Sequence, residues 1–83
     1  MYFVYAIYNK VCDKIYIGQC ENLDVRLELH NNKTFTNSYT SRFSGNWILI
    51  YSEVVDSRRV ALVREKQLKS YRGRQFIKQH IPR

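Results

Sequence analysis

The chain has 83 residues, with 14 Lys and Arg against 7 Asp and Glu and a formal charge of +7, so one domain spanning residues 1–83 is expected. Folding at this size hides only about 60% of the unfolded chain's surface, which disfavours a deep private cofactor chamber and puts any chemistry in a surface groove. The longest apolar stretches, such as Trp47 to Tyr51, are too short for a membrane span or a signal segment. Two cysteines, Cys12 and Cys20, are too few for a zinc cage without His or carboxylate help and too sparse for a disulfide scaffold. A soluble protein in a reducing, cytoplasmic setting is the expectation.

Residues 2–8, Tyr-Phe-Val-Tyr-Ala-Ile-Tyr, are dense in aromatic and β-branched types, and Ile15-Tyr16-Ile17 repeats that character after a polar break. The pair predicts a hairpin, with Gly18 ending its second strand. Asn22 is a candidate N-cap for a helix from Leu23 to about His30, closed by Asn31-Asn32. Residues 33–46 are rich in Thr, Ser and Asn without helical period and predict a loop. Trp47 to Val55 predicts a third strand, and Asp56 or Ser57 can cap a second helix through about Ser70. Gly73 is expected to break that helix, leaving a short basic helix from Arg74 to Gln79 and a tail stopped by Pro82. The order β-β-α-β-α-α predicts an α/β (α+β) domain: a small three-stranded, mostly antiparallel sheet flanked by helices.

Charge is unevenly placed. Residues 1–57 carry five basic and six acidic side chains, whereas residues 58–83 carry nine basic residues and one acid, Glu65. Such a block suits a polyanion, because each phosphate neutralised by Lys or Arg releases counterions, although basic faces also serve solubility.

Three placements break the helical and strand patterns. On a helical wheel of the first helix, Val25, Leu29, Leu23 and Leu27 bound one broad apolar arc, while Asp24 and Glu28 take the opposite side. Arg26 and His30 fall inside that arc, between Leu29 and Leu23, as i,i+4 neighbours, and an arginine there is either paired or lines a cleft. Glu65, with Ala61, Leu62 and Leu68 around it, points inward from the second helix. It reads either as a buried partner for Arg26 or as an oxygen ligand for Mg²⁺. Tyr5 and Tyr16 come one from each hairpin strand, and Gly18 beside Tyr16 permits close approach.

Val4-Tyr5 followed by Ile7, Tyr16-Ile17-Gly18, Asn22-Leu23-x-x-Arg26-Leu27-x-x-His30 and a downstream helix bearing Glu65 resemble the GIY-YIG nuclease domain, most of all its small stand-alone UvrC-like and YhbQ-like (UPF0213-type) members. The resemblance runs from Tyr2 to about Lys78. It implies a divalent-metal-dependent endonuclease that hydrolyses phosphodiester bonds in DNA, selective for structure or single strands, of the kind used in DNA repair. It further implies Tyr5 as general base, Tyr16 hydrogen-bonding beside it, His30 relaying or orienting the proton, Arg26 stabilising the phosphorane, and Glu65 holding one Mg²⁺ or Mn²⁺. A free phenol near pKa 10 is a poor base at neutral pH, so a neighbouring Arg, His or metal is expected to lower its pKa.

On the same resemblance, Gln19, Arg42, Lys69, Arg72 and Arg74 are the expected nucleic-acid contacts. The chain departs from the family in Phe3-Val4-Tyr5 for Gly-Ile-Tyr, in Gln19 where relatives carry Lys or Thr, and in Cys20 for Ser or Thr. Ile77 falls near the position of a late family asparagine. No base-reading module accompanies the core, so specificity would come from a partner protein, DNA shape or single strands, with Tyr39 and Trp47 as candidate stacking residues. RNA cleavage would use the same site. A catalytically silent nucleic-acid-binding or partner-recruiting module of the same fold is the alternative.

Overall fold

The computed structural model describes residues 1–31 and 45–82. Along them run β1 (Tyr2–Asn9), β2 (Lys14–Cys20), α1 (Leu23–Asn31), β3 (Trp47–Val55), α2 (Arg58–Lys69) and α3 (Tyr71–Lys78), the order and α+β class expected from the sequence. The sheet order is β2-β1-β3, and both pairings are antiparallel.

The hairpin turns because Asn9 Oδ1 accepts hydrogen bonds from the backbone N–H groups of Val11 and Cys12, at 3.0 and 3.4 Å. Asp13 takes the left-handed conformation, with φ 55°, that an Asp tolerates in a turn. Gly18 does not end β2: it pairs with Tyr5, and Cys20 still pairs with Phe3. A residue with no side chain keeps its place in a ladder when its neighbours pair on both sides, and here it opens space on one face.

Central β1 is covered on both faces, which is why Val4 through Asn9 are all buried. Alternation along the strand divides them. Tyr5 and Ile7 join Cys20 and Trp47, with Leu23 and Leu27 of α1 packed against them. Val4 and Ala6 face the other way, with Ile17, and meet Ala61 and Leu68 of α2 and Ile77 of α3. The wheel's apolar arc needs correction at one end: Val25 is exposed, because α1 seats itself through Leu23 and Leu27. Leu62 is likewise exposed, so the inward face of α2 is Ala61 and Leu68.

Ser57 is the cap of α2, its Oγ accepting from the Val60 N–H at 3.3 Å. The break between the last two helices falls at Ser70, not at Gly73. The Ser70 hydroxyl donates to the Gln67 carbonyl at 2.6 Å and accepts from the Gly73 N–H at 3.2 Å, closing one helix and capping the next. Gly73 lies inside α3, where a Cβ would stand 2.3 Å from Gln67 O and 2.5 Å from Leu68 Cα. Its lack of a side chain lets the first turn of α3 press against the last turn of α2. Ile77 is fully buried in the core under these helices. Among the described residues no helix is long and apolar enough to cross a membrane.

Candidate active site

The hairpin brings its two tyrosines to one face of the sheet, since Tyr5 sits opposite Gly18 and Tyr16 opposite Ile7. The gap at Gly18 is filled by phenols: a Cβ there would stand 2.9 Å from Tyr5 Oη and 3.1 Å from Tyr16 Cε2. Their ring centroids are 6.4 Å apart. From the opposite side α1 presents His30, whose ring lies 5.1 Å from that of Tyr16 and 6.1 Å from that of Tyr5.

Tyr5 and His30 are 2% and 3% exposed, and Tyr5 Oη lies 2.9 Å from His30 Nε2. Burial, reinforced by the positive charge of Arg26, pushes the imidazole down to about 4. His30 is therefore neutral at physiological pH, and with its proton on Nδ1 it accepts the phenol's hydrogen at Nε2. This interior histidine is held by a specific partner from β1.

Tyr5 itself corrects an expectation. Burial raises the phenol well above its ordinary value, Tyr16 and Cys20 raise it further, Arg26 pulls it down, and Glu65 adds a smaller upward push. Desolvation of the phenolate outweighs the pull of the Arg26 cation, and this favours the protonated phenol. Cys20 is buried beside it, and burial raises that thiol too, against Arg26 and the backbone N–H of Asn22. Arg26 and Glu65, from helices on opposite faces of the sheet, thus act on the same phenol.

Arg26 is half-buried in α1 and lines a cavity of about 370 Å³ with Gln19, Cys20 and Arg58. A second cavity, of about 320 Å³, is lined by Tyr16, Lys69 and Arg74. Both lie along β2, the strand at one edge of the sheet. Glu65 is half-buried, and its ion-pair partner is Lys69, one turn on in the same helix, at 2.8 Å. The Arg74 side chain is fixed by its Nε donating to the Lys69 carbonyl at 3.0 Å. Of the other expected contacts, Arg72 is exposed on α3, and Arg42 lies outside the described residues, as does Tyr39. Trp47 is 1% exposed and belongs to the core: Asn31 brackets its backbone, accepting from its N–H at 2.6 Å and donating to its carbonyl at 3.0 Å.

The donor set bears on a divalent cation. Among the described residues, no three His, Cys, Asp or Glu side chains gather into a cage. Half-buried Glu65, ion-paired to the Lys69 that lines the second cavity, supplies one carboxylate, and Mg²⁺ takes one or two protein carboxylates, keeps several waters and accepts substrate phosphate oxygens. The residues present therefore fit such an ion at Glu65.

The model of the GIY-YIG catalytic domain matches residues 1–79. The chain belongs to the GIY-YIG family. Membership carries nuclease chemistry on a nucleic-acid substrate, in a family whose enzymes are generally dependent on a divalent metal. No curated protein matches the chain. The solution structure of a UPF0213 protein from Bacillus halodurans is similar in fold, with a TM-score of 0.54 at 22% identity, covering 95% of this chain and 84% of that one. Within this GIY-YIG domain, Arg58 is the cavity residue that sequence reasoning passed over. It is one of nine basic residues in the last third of the chain, and only the packing of α2 across β2 distinguishes it from its neighbours.

Proposed function

We propose that this GIY-YIG protein is a divalent-metal-dependent endonuclease that hydrolyses phosphodiester bonds in DNA and selects substrates by strand structure or single-strandedness. The observation that carries the reading is the buried Tyr5–His30 hydrogen bond, formed where Arg26 and Glu65 both act on the phenol. A structural tyrosine does not need a neutral imidazole as its acceptor with the charge of Arg26 acting on it and a weaker opposed charge, Glu65, acting from the other face of the sheet.

Tyr5 serves as general base without ionising beforehand. As its oxygen takes a proton from the attacking water, its own proton passes to Nε2 of the neutral His30 imidazole in its Nδ1–H tautomer. Arg26 offers a planar fork of donors to the equatorial oxygens as charge builds on phosphorus. Glu65 is the carboxylate that would hold one Mg²⁺ or Mn²⁺, which when bound supplies Lewis-acid charge at the leaving oxygen. Lys69 orients that carboxylate, and with Arg74, Arg72, Gln19 and Arg42 it contacts the flanking backbone, setting affinity without reading sequence.

A second reading gives the base to Tyr16. It is favoured by exposure: Tyr16 is only half-buried and lines the cavity that holds Lys69 and Arg74, whereas water must enter to meet Tyr5. The test of the function is cleavage of labelled single-stranded, duplex and flapped DNA with Mg²⁺ or Mn²⁺, beside Glu65→Ala and EDTA controls. Cleavage that both controls abolish is the expected result. Binding of every substrate with no cut in any would support a silent nucleic-acid-binding module instead.

A further inference from the structure

The cavity beside the C-terminal end of β2 holds two guanidinium groups that come from opposite faces of the sheet: Arg26 from α1 and Arg58 from the first position of α2. One carboxylate lines the same cavity, Glu21, and it accepts the Tyr2 hydroxyl at 3.3 Å. Arg58 is exposed and makes no ion pair among the described residues. The polar side chains of Gln19 and Asn22, which also line the cavity, are neutral. A net positive, open cleft with two forks of donors suits an anion with several oxygens.

Its position says which anion. Arg58 and Lys69 begin and end the twelve-residue α2, so they stand about 16 Å apart at about 1.5 Å per residue. Lys69, with Arg74 and Tyr16, lines the cavity at the other end of β2. Tyr5, paired with Gly18, lies between these two ends in the register of β2. Phosphates of one strand repeat every ~3.4 Å along a duplex axis, so that separation spans several phosphates of one backbone.

We infer that Arg58 is a substrate-positioning residue: next to Arg26 at the scissile phosphate, it holds the adjoining backbone phosphate, so that the strand lies along β2 from Lys69 and Arg74 to Arg58. The inference rests on the nuclease reading and adds to it the course of the strand and one residue. Arg59 is the natural control, being exposed and outside the cavity. The same charge can also be re-supplied from the neighbouring strand by Gln19→Lys, which projects from β2 into the same cleft.

The experiment is the salt dependence of binding of a fluorescein-labelled 20-nucleotide single strand, measured by anisotropy without metal, for the wild type, Arg58→Ala, Arg59→Ala and Arg58→Ala/Gln19→Lys. Circular dichroism melts establish that each variant is folded. Arg58→Ala is expected to weaken binding about three- to tenfold at about 0.1 M salt and to lower the slope of log K against log salt by about 0.7, the value for one single-strand phosphate contact. Arg59→Ala should leave both unchanged, and the double variant should recover most of the loss. In cleavage assays the loss should fall on KM more than on kcat, as for an interaction made equally in ground and transition states. Equal slopes for Arg58→Ala and Arg59→Ala, or no recovery in the double variant, overturn the role of Arg58 while leaving the nuclease reading intact. A folded wild type that binds neither this strand nor duplex or flapped DNA, with or without Mg²⁺, overturns both.

Discussion

Gly18→Ala places a methyl group where two phenols already are. The new Cβ would lie 2.9 Å from Tyr5 Oη and 3.1 Å from both Tyr5 Cζ and Tyr16 Cε2. The backbone cannot relieve this, since Gly18 is paired to Tyr5 in the middle of the hairpin. The Tyr5 ring must swing, and as it is 2% exposed it swings against packed neighbours. Overpacking of this kind costs about 1–3 kcal/mol, and losing the hydrogen bond to His30 adds about 0.5–1.5 kcal/mol. For a domain of this length each kcal/mol lowers Tm by about 4–8 °C, so a fall between about 6 and 36 °C is expected in a circular dichroism melt. Turnover should fall by about 100-fold, the scale for displacing a reacting group by an ångström. The cause is separable from general damage: in Gly18→Ala/Tyr5→Phe the hydroxyl that clashes is gone, so the two substitutions together should cost about 1 kcal/mol less than their sum. Strict additivity, or a Gly18→Ala protein with wild-type Tm, would refute the close packing of the phenols as the reason for glycine.

Two further outcomes follow from packing and protonation. Gly73→Ala should destabilise by about 2–4 kcal/mol in urea unfolding, because its Cβ would meet the backbone of α2 rather than a movable side chain. His30 has a folded-state pKa of about 4 against an ordinary 6.5, so the unfolded chain takes up the proton first as pH falls. Stability should be level above about pH 6.5 and decline by about 1–3 kcal/mol between there and pH 4, and His30→Gln should flatten that decline. A wild-type protein whose stability rises on acidification through this window would contradict a buried neutral imidazole.

Much of the fold is legible because β-branched and aromatic density marks the strands and turn and capping residues bound the elements. The apolar density of residues 2–8 marks a hairpin strand, and the placement of Arg26 and His30 within the apolar arc of α1 marks both as candidate site residues. The misreadings share one cause, which is that a local signal has several tertiary uses. Glycine predicted an end at Gly18 and a break at Gly73, yet both are close-approach positions inside regular elements, and the break is made by Ser70 through side-chain bonds that composition does not rank. Likewise Leu62 and Val25 have the right residue type for a core but the wrong side of their helices. Nothing in the sequence separates Arg58 from Arg59, or tells that burial outweighs Arg26 at Tyr5, since both depend on which helix crosses which strand.

The most direct test of the account is the single-turnover cleavage rate of Tyr5→Phe beside Tyr16→Phe, on the best substrate and at saturating Mg²⁺ or Mn²⁺. If Tyr5 takes the proton from water and hands its own to His30, Tyr5→Phe should lose roughly 100-fold or more in rate with substrate binding unchanged, matching the scale of a lost general base, and its remaining activity should no longer depend on His30. A Tyr5→Phe protein that cuts at the wild-type rate, with Tyr16→Phe inactive, would contradict that assignment and move the base to Tyr16.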